Sequence, residues 1–196
     1  MLKEEDYLRL KNHIGRFMPE IEEEWAFLKP ILYERKLLKD EFYARKGRHA
    51  NEVAFILKGS MRQFYTHHDE EKTTYFFFED HLVSAYMSCI SGKPSELSII
   101  AMTDCRLLAF PYSDLKQLYA TRPAWEGFGR RIAEYLAMGL EERMVDLLML
   151  SPEERYLRLL NSNKHKIIER IPQQYIANYL GITPVSLSRI RKRILK

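Results

Sequence analysis

The sequence predicts an α+β protein: an N-terminal antiparallel β-barrel of the jelly-roll kind with flanking helices, then one long helix, then a C-terminal helix-turn-helix. Three observations predict it. Between residues 33 and 111, short runs rich in aromatic and β-branched residues recur between turn residues. After Pro111 the apolar spacing returns to three and four. Between Gln173 and Ile194, helix-starting, helix-ending and apolar residues fall at the spacing of two short helices joined by a tight turn.

The elements follow in chain order. Tyr7, Leu10, Ile14 and Phe17 recur at helical spacing, and Ile21, Trp25 and Leu28 repeat the pattern after Pro19. Strands are predicted at Val53 to Leu57, Met61 to Tyr65, Thr73 to Phe78, Leu97 to Met102 and Arg106 to Phe110. Turns are predicted at Lys46-Gly47, Lys58-Gly59-Ser60, His68-Asp69-Glu70, Ser91-Gly92-Lys93-Pro94 and Thr103-Asp104. A short helix over Tyr112 to Tyr119 precedes a long one that begins near Pro123. In the long helix Phe128, Ile132, Leu136, Leu140, Met144 and Leu147 line one stripe, with Gly139 on the same side. Such a stripe packs either on its own barrel or on a second copy of the chain. Ser151-Pro152-Glu153-Glu154 then closes that helix and opens the next, with a capping serine, a first-turn proline and a glutamate three residues on. The expected domains are therefore 1–122, the long helix 123–150, and 151–196.

Composition narrows the function. With 46% hydrophobic and 30% charged residues the chain is expected to fold rather than stay disordered. No stretch is apolar enough for a membrane span, and Met1 to Asp6 has no secretory pattern, so a cytoplasmic location is expected. Cys89 and Cys105 are too few for a disulfide scaffold or a cysteine-ligated metal. Charge is divided along the chain. Residues 151–196 hold 10 basic and 3 acidic side chains, a net of +7, whereas the remainder holds 21 and 24, a net of −3. A polyanionic partner is expected for the C-terminal piece alone.

The segment Gln173 to Ile194, QQYIANYLGITPVSLSRIRKRI, carries the chemistry. Ile176, Ala177 and Leu180 form an inner face, with a small residue where another helix crosses closely. Gly181 ends that helix. Thr183 and Pro184 start the second, whose Leu187, Ile190 and Ile194 face inward. Its other face carries Val185, Ser186, Ser188, Arg189, Lys192 and Arg193, and Gln173 and Gln174 stand at the start of the first helix. This is the pattern of a recognition helix that enters the DNA major groove. Arg189 is expected to make a bidentate contact to guanine, and Pro184 and Val185 to touch a thymine methyl group. The Thr183 and Ser186 hydroxyls and Arg191, Lys192, Arg193 and Lys196 are expected on phosphates.

With a barrel, a long helix and IANYLGITPVSLSRIR in this order, the chain resembles the Crp/Fnr family of bacterial transcription regulators. In the barrel, Gly47 followed by Glu52 to Gly59 looks like the family's first hairpin. The resemblance implies a homodimer joined along Phe128 to Leu147 and a near-palindromic DNA operator. It also implies RNA polymerase as a further partner and a small-molecule effector in the barrel. The family's β-wing is not expected, since the sequence stops at Lys196. The cyclic nucleotide site departs from the family. Matching on Ala101, Thr103 and Cys105 puts Ser84-Ala85 where a Gly-Glu pair holds ribose, and Ser95-Glu96 where an arginine pair holds phosphate. No arginine occurs between Arg62 and Arg106, and a carboxylate at Glu96 repels a phosphate. The effector is therefore expected to be something other than cyclic AMP.

Two rivals remain. One is a cupin-like metal enzyme using His67-His68-Asp69-Glu70-Glu71, but adjacent histidines on a strand point to opposite faces, so a solvated hairpin tip is expected there. No nucleophile triad or phosphate-cradling glycine loop occurs, and neither catalysis, metal nor cofactor is expected. The other is a ligand-independent DNA-binding protein in which the barrel only builds the dimer. Phe76, Phe77, Phe78 and Tyr86 are expected in core rather than around a ligand.

Overall fold

The structure, a computed structural model, describes residues 2–162 and 165–194. By packing the chain divides into two units: Met1–Gln63 with Phe76–Tyr135, and Phe64–Tyr75 with Leu136–Lys196. Lys196, expected on a DNA phosphate, lies outside the described residues.

The N-terminal elements are α1 (Glu4–Gly15), α2 (Ile21–Leu28), β1 (Tyr33–Leu37), β2 (Phe42–Ala44), β3 (Glu52–Lys58), β4 (Met61–His67), β5 (Glu70–Phe77) and β6 (Leu82–Val83). They are followed by α3 (Tyr86–Ser91), β7 (Leu97–Ala101), β8 (Cys105–Pro111), α4 (Tyr112–Thr121) and the 27-residue α5 (Pro123–Met149). The strands form two four-stranded sheets, ordered β1-β8-β3-β6 and β2-β7-β4-β5. The jelly-roll expectation holds, with an open pair of sheets in place of a closed barrel. Strand β8 runs antiparallel to both β1 and β3, in registers Arg35↔Leu107 and Ala54↔Ala109.

The run Val53 to Leu57 is apolar throughout because both its faces are covered. Ala54 and Ile56 face a core between the sheets, shared with Tyr43, Phe77, Ile99 and Leu107. Val53, Phe55 and Leu57 face the helices, against Leu10, Ile14, Leu28, Trp125 and Phe128. An Arg122 guanidinium bonded to both Glu24 oxygens, at 2.5 and 3.0 Å, ties α2 to the end of α4. Gly59 closes the β3–β4 turn at φ +103°, where a Cβ would meet Asp104 O and Cys105 Sγ at 2.6 Å. Only glycine fits there. His68 and Asp69 both take positive φ at the tip of the β4–β5 hairpin, the geometry of a two-residue primed turn.

The second unit holds the C-terminal half of α5 with α6 (Pro152–Asn161), α7 (His165–Arg170), α8 (Gln173–Tyr179) and α9 (Pro184–Ile194). Tyr156, Leu159, Ile167, Ile176, Ala177, Leu180, Leu187 and Ile190 are among its buried apolar residues. It also contains the tip of the β4–β5 hairpin.

Candidate nucleic-acid interface

Local chemistry shapes the α8–α9 motif. Gly181, at φ +72°, ends α8. Its N–H donates to Asn178 O and that of Ile182 to Ala177 O, both at 3.0 Å. These two bonds satisfy carbonyls that a helix end leaves open. Thr183 Oγ1 then accepts from the Ser186 N–H at 3.2 Å and caps α9. Ser186 is half-buried, its hydroxyl bonded to that of Thr183 at 3.0 Å. Leu187 and Ile190 are buried, which turns Thr183, Pro184, Val185, Ser188, Arg189, Lys192 and Arg193 to solvent. Gln173 and Gln174 are exposed in the first turn of α8.

The start of α6 lies beside α9. Ser151 Oγ accepts from Glu154 N at 3.3 Å while Glu154 Oε2 accepts from Ser151 N at 2.7 Å, the expected capping box. That bonding holds the Glu154 carboxyl below the usual carboxylate range. Glu153, next to it, takes a hydrogen bond from the Arg193 guanidinium. An open cleft of about 350 Å³ runs between Ser151, Pro152 and Glu153 on one side and Ser186, Arg189 and Arg193 on the other.

Two arginines hold the end of α8. Arg143 of α5 donates to Tyr179 O, and its guanidinium carbon stands 3.9 Å from the centre of the Tyr179 ring. Burial pushes the Arg143 pKa down, against the favourable fields of Tyr179 and Asp146. Arg155 of α6 donates to Leu180 O at 3.1 Å and to Leu150 O at 2.5 Å. Cations at the carbonyl end of a helix complement its dipole.

The stripe on α5 divides in two. Phe128 is buried in the chain's own core, edge-on to Trp125 with ring centres 5.6 Å apart. Ile132 packs partly against that core. These two are therefore occupied within one copy, in contrast to the single continuous interface expected. Beyond them Leu136, Leu140, Met144 and Leu147 are exposed, as are Met138, Val145, Leu148 and Met149, and Gly139 meets nothing within 4 Å.

The four residues expected around an effector differ in their surroundings. Ala85 is buried in the core between the sheets. The Ser84 hydroxyl donates to Glu52 O at 2.9 Å and the Ser95 hydroxyl to Leu97 O at 2.8 Å, whereas Glu96 is exposed. Tyr43 donates to Glu52 O and Val83 O at 3.2 and 3.1 Å, and burial pushes its phenol pKa well up. Phe76, Phe77 and Phe78 are buried and Tyr86 is half-buried. Among the described residues, no helix is long and apolar enough to cross a membrane, and no three His, Cys, Asp or Glu side chains gather as metal ligands would.

Comparison with known proteins agrees with this architecture. Residues 34–122 match the family model of the cyclic nucleotide-binding domain. No curated protein sequence matches the chain. Among solved structures, a putative transcriptional regulator of the Crp/Fnr family from Eubacterium rectale is similar, with TM-score 0.70 and 17% identity over 87% of this chain and 81% of that one. FixK2 from Bradyrhizobium japonicum gives 0.69 and 19% over 84% of each chain. The c-di-GMP responsive global regulator CLP from Xanthomonas campestris gives 0.67 and 18% over 87% of this chain and 89% of that one. Residues 34–122 are thus similar to the cyclic nucleotide-binding domain, and the chain has the fold of Crp/Fnr regulators.

Four residues that shape the site escaped the sequence reading: Arg143, Glu153, Arg155 and Asn178. Their partners lie from 5 to 107 residues away along the chain, and no local spacing marks them.

Proposed function

We propose that the protein is a homodimeric, sequence-specific DNA-binding transcription regulator of the cytoplasm, with an N-terminal domain that responds to an effector other than cyclic AMP and no catalytic step. The observation that carries this reading is α9, anchored by Leu187 and Ile190 and bare on the face that holds Val185, Ser188, Arg189 and Lys192. A helix fills the major groove, and its first residues reach base edges. Arg189 reads guanine by its two-donor fork, and Pro184 and Val185 meet a thymine methyl group. Thr183, Ser186, Ser188, Gln173 and Gln174 bond phosphates or edges near the helix starts, and Lys192 and Arg193 neutralise phosphates.

The apolar half of α5 supports the dimer. Monomers rarely expose so continuous an apolar surface, and a second copy would cover it. A two-fold dimer sets its two α9 helices on half-sites about one helical turn apart. RNA polymerase is the further partner such a regulator acts upon. Any effector site at Ser84, Ala85, Ser95 and Glu96 offers an exposed carboxylate, which disfavours a cyclic phosphate.

Two variants measured on selected and random duplexes test the reading. Arg189→Ala costs about 1–3 kcal/mol and relaxes base preference, while Lys192→Ala weakens all DNA alike and flattens the salt slope by about one. Equal effects of both on both duplexes contradict it.

A further inference from the structure

The DNA-reading motif is fastened at a sheet edge. In the order β2-β7-β4-β5, strand β5 is an edge, where alternate backbone groups point away from the sheet. The Asn178 side chain bonds two of them. Its Oδ1 accepts from the Thr73 N–H at 2.6 Å, and its Nδ2 donates to Glu71 O at 2.8 Å. One amide that bonds residues 71 and 73 in this way reproduces the pairing a residue of a parallel neighbouring strand would make. The partners are 105 and 107 residues apart in sequence, yet all three residues belong to the second unit. Asn178 is the next-to-last residue of α8, and the two carbonyls that follow it, of Tyr179 and Leu180, are held by Arg143 of α5 and Arg155 of α6. With these contacts in place, Val185, Ser188, Arg189 and Lys192 remain exposed.

We propose that Asn178 is a positioning residue for DNA binding, tying the last turn of α8 to the β4–β5 hairpin. Together with Arg143 it sets the direction in which α9 stands from the α5 face that would join two copies. The inference rests on the DNA-binding reading of α9. Two recognition helices must meet two half-sites at one fixed spacing, so a motif already held in direction spends less binding energy on ordering. A single half-site makes no such demand.

The test uses the full chain carrying Asn178→Ala, with a palindromic duplex and an isolated half-site as probes. N178A binds the palindrome about tenfold more weakly, the size expected for loss of one or two hydrogen bonds, and the half-site within about twofold of wild type. The Thr73 amide proton exchanges faster in N178A, a direct readout of the lost bond. Thr73→Pro removes the same donor from the hairpin side, and an edge strand accepts proline where the N–H points outward. The double variant is then no weaker than the worse single one. Where T73P fails to fold, N178A alone carries the test. Palindrome binding by N178A equal to or tighter than wild type overturns the proposal, as does equal loss on palindrome and half-site or additivity in the double variant. A wild type that distinguishes no DNA, with Arg189→Ala indistinguishable from it, overturns instead the reading on which the proposal rests.

Discussion

Leu140→Ala is the sharpest probe of the dimer face. Leu140 is 71% exposed on α5. Fully burying a leucine side chain stabilises by about 1.5–3 kcal/mol, so covering the exposed part contributes about 1–2 kcal/mol. Two-fold symmetry counts each substitution twice, for about 2–4 kcal/mol per dimer. At 1.4 kcal/mol per tenfold, the dimer dissociation constant rises about 30- to 700-fold. Sedimentation equilibrium across a dilution series measures it. Met87 on α3 is equally exposed, at 70%, but lies off α5, so Met87→Ala is the matched control and leaves the constant unchanged. Because Leu140 is exposed in one copy, its truncation leaves the stability of the monomer, measured by urea unfolding, within about 0.5 kcal/mol of wild type. Equal effects of the two substitutions, or a wild type monomeric at micromolar concentration, would refute the assignment of this face.

Two further predictions concern charge. Glu153 takes up part of the charge of Arg193, so Glu153→Gln tightens binding to all duplexes and steepens the salt slope by up to about 0.9, one additional phosphate; an unchanged slope would remove Arg193 from the phosphate contacts. Burial pushes the His13 pKa down to about 4, with Arg16 and His81 adding to the effect and Asp80 opposing it. The unfolded chain protonates near 6.5 and the folded protein only near 4, so this contribution to stability is complete above pH 6.5 and is lost as pH falls toward 4. Discounted for partial exposure, the loss is about 1 kcal/mol by pH 5. Urea midpoints at pH 7 and 5 should therefore differ less in His13→Phe than in wild type, and identical slopes would dismiss His13 as the cause.

What the sequence made legible was local. Gly181, Thr183 and the spacing of Leu187 and Ile190 belong to one stretch, and each conformation is dictated by residues a few positions away. The strands around Val53 to Leu57 and Leu97 to Ala101 were readable from their β-branched and aromatic runs. Strands β1, β2 and β6 and helix α3 were not. The two-residue β6 is too short for a period, and α3 lies within the uncharged stretch Leu82 to Gly92, where no polar face marks a helix. On α5 the same spacing continues from Phe128 to Leu147, but whether a turn is covered depends on neighbours distant in sequence, so the division between Ile132 and Leu136 was invisible. The hold of Asn178 on the hairpin was hidden for the same reason.

Selection of bound sequences from a random duplex pool, with the 196-residue chain at a fixed salt of about 0.15 M, tests the central claim most directly. The account predicts an enriched near-palindrome whose half-sites lie about one helical turn apart, with Arg189→Ala losing base preference within each half-site. A folded protein that enriches no sequence, or the same enrichment from Arg189→Ala, would contradict it.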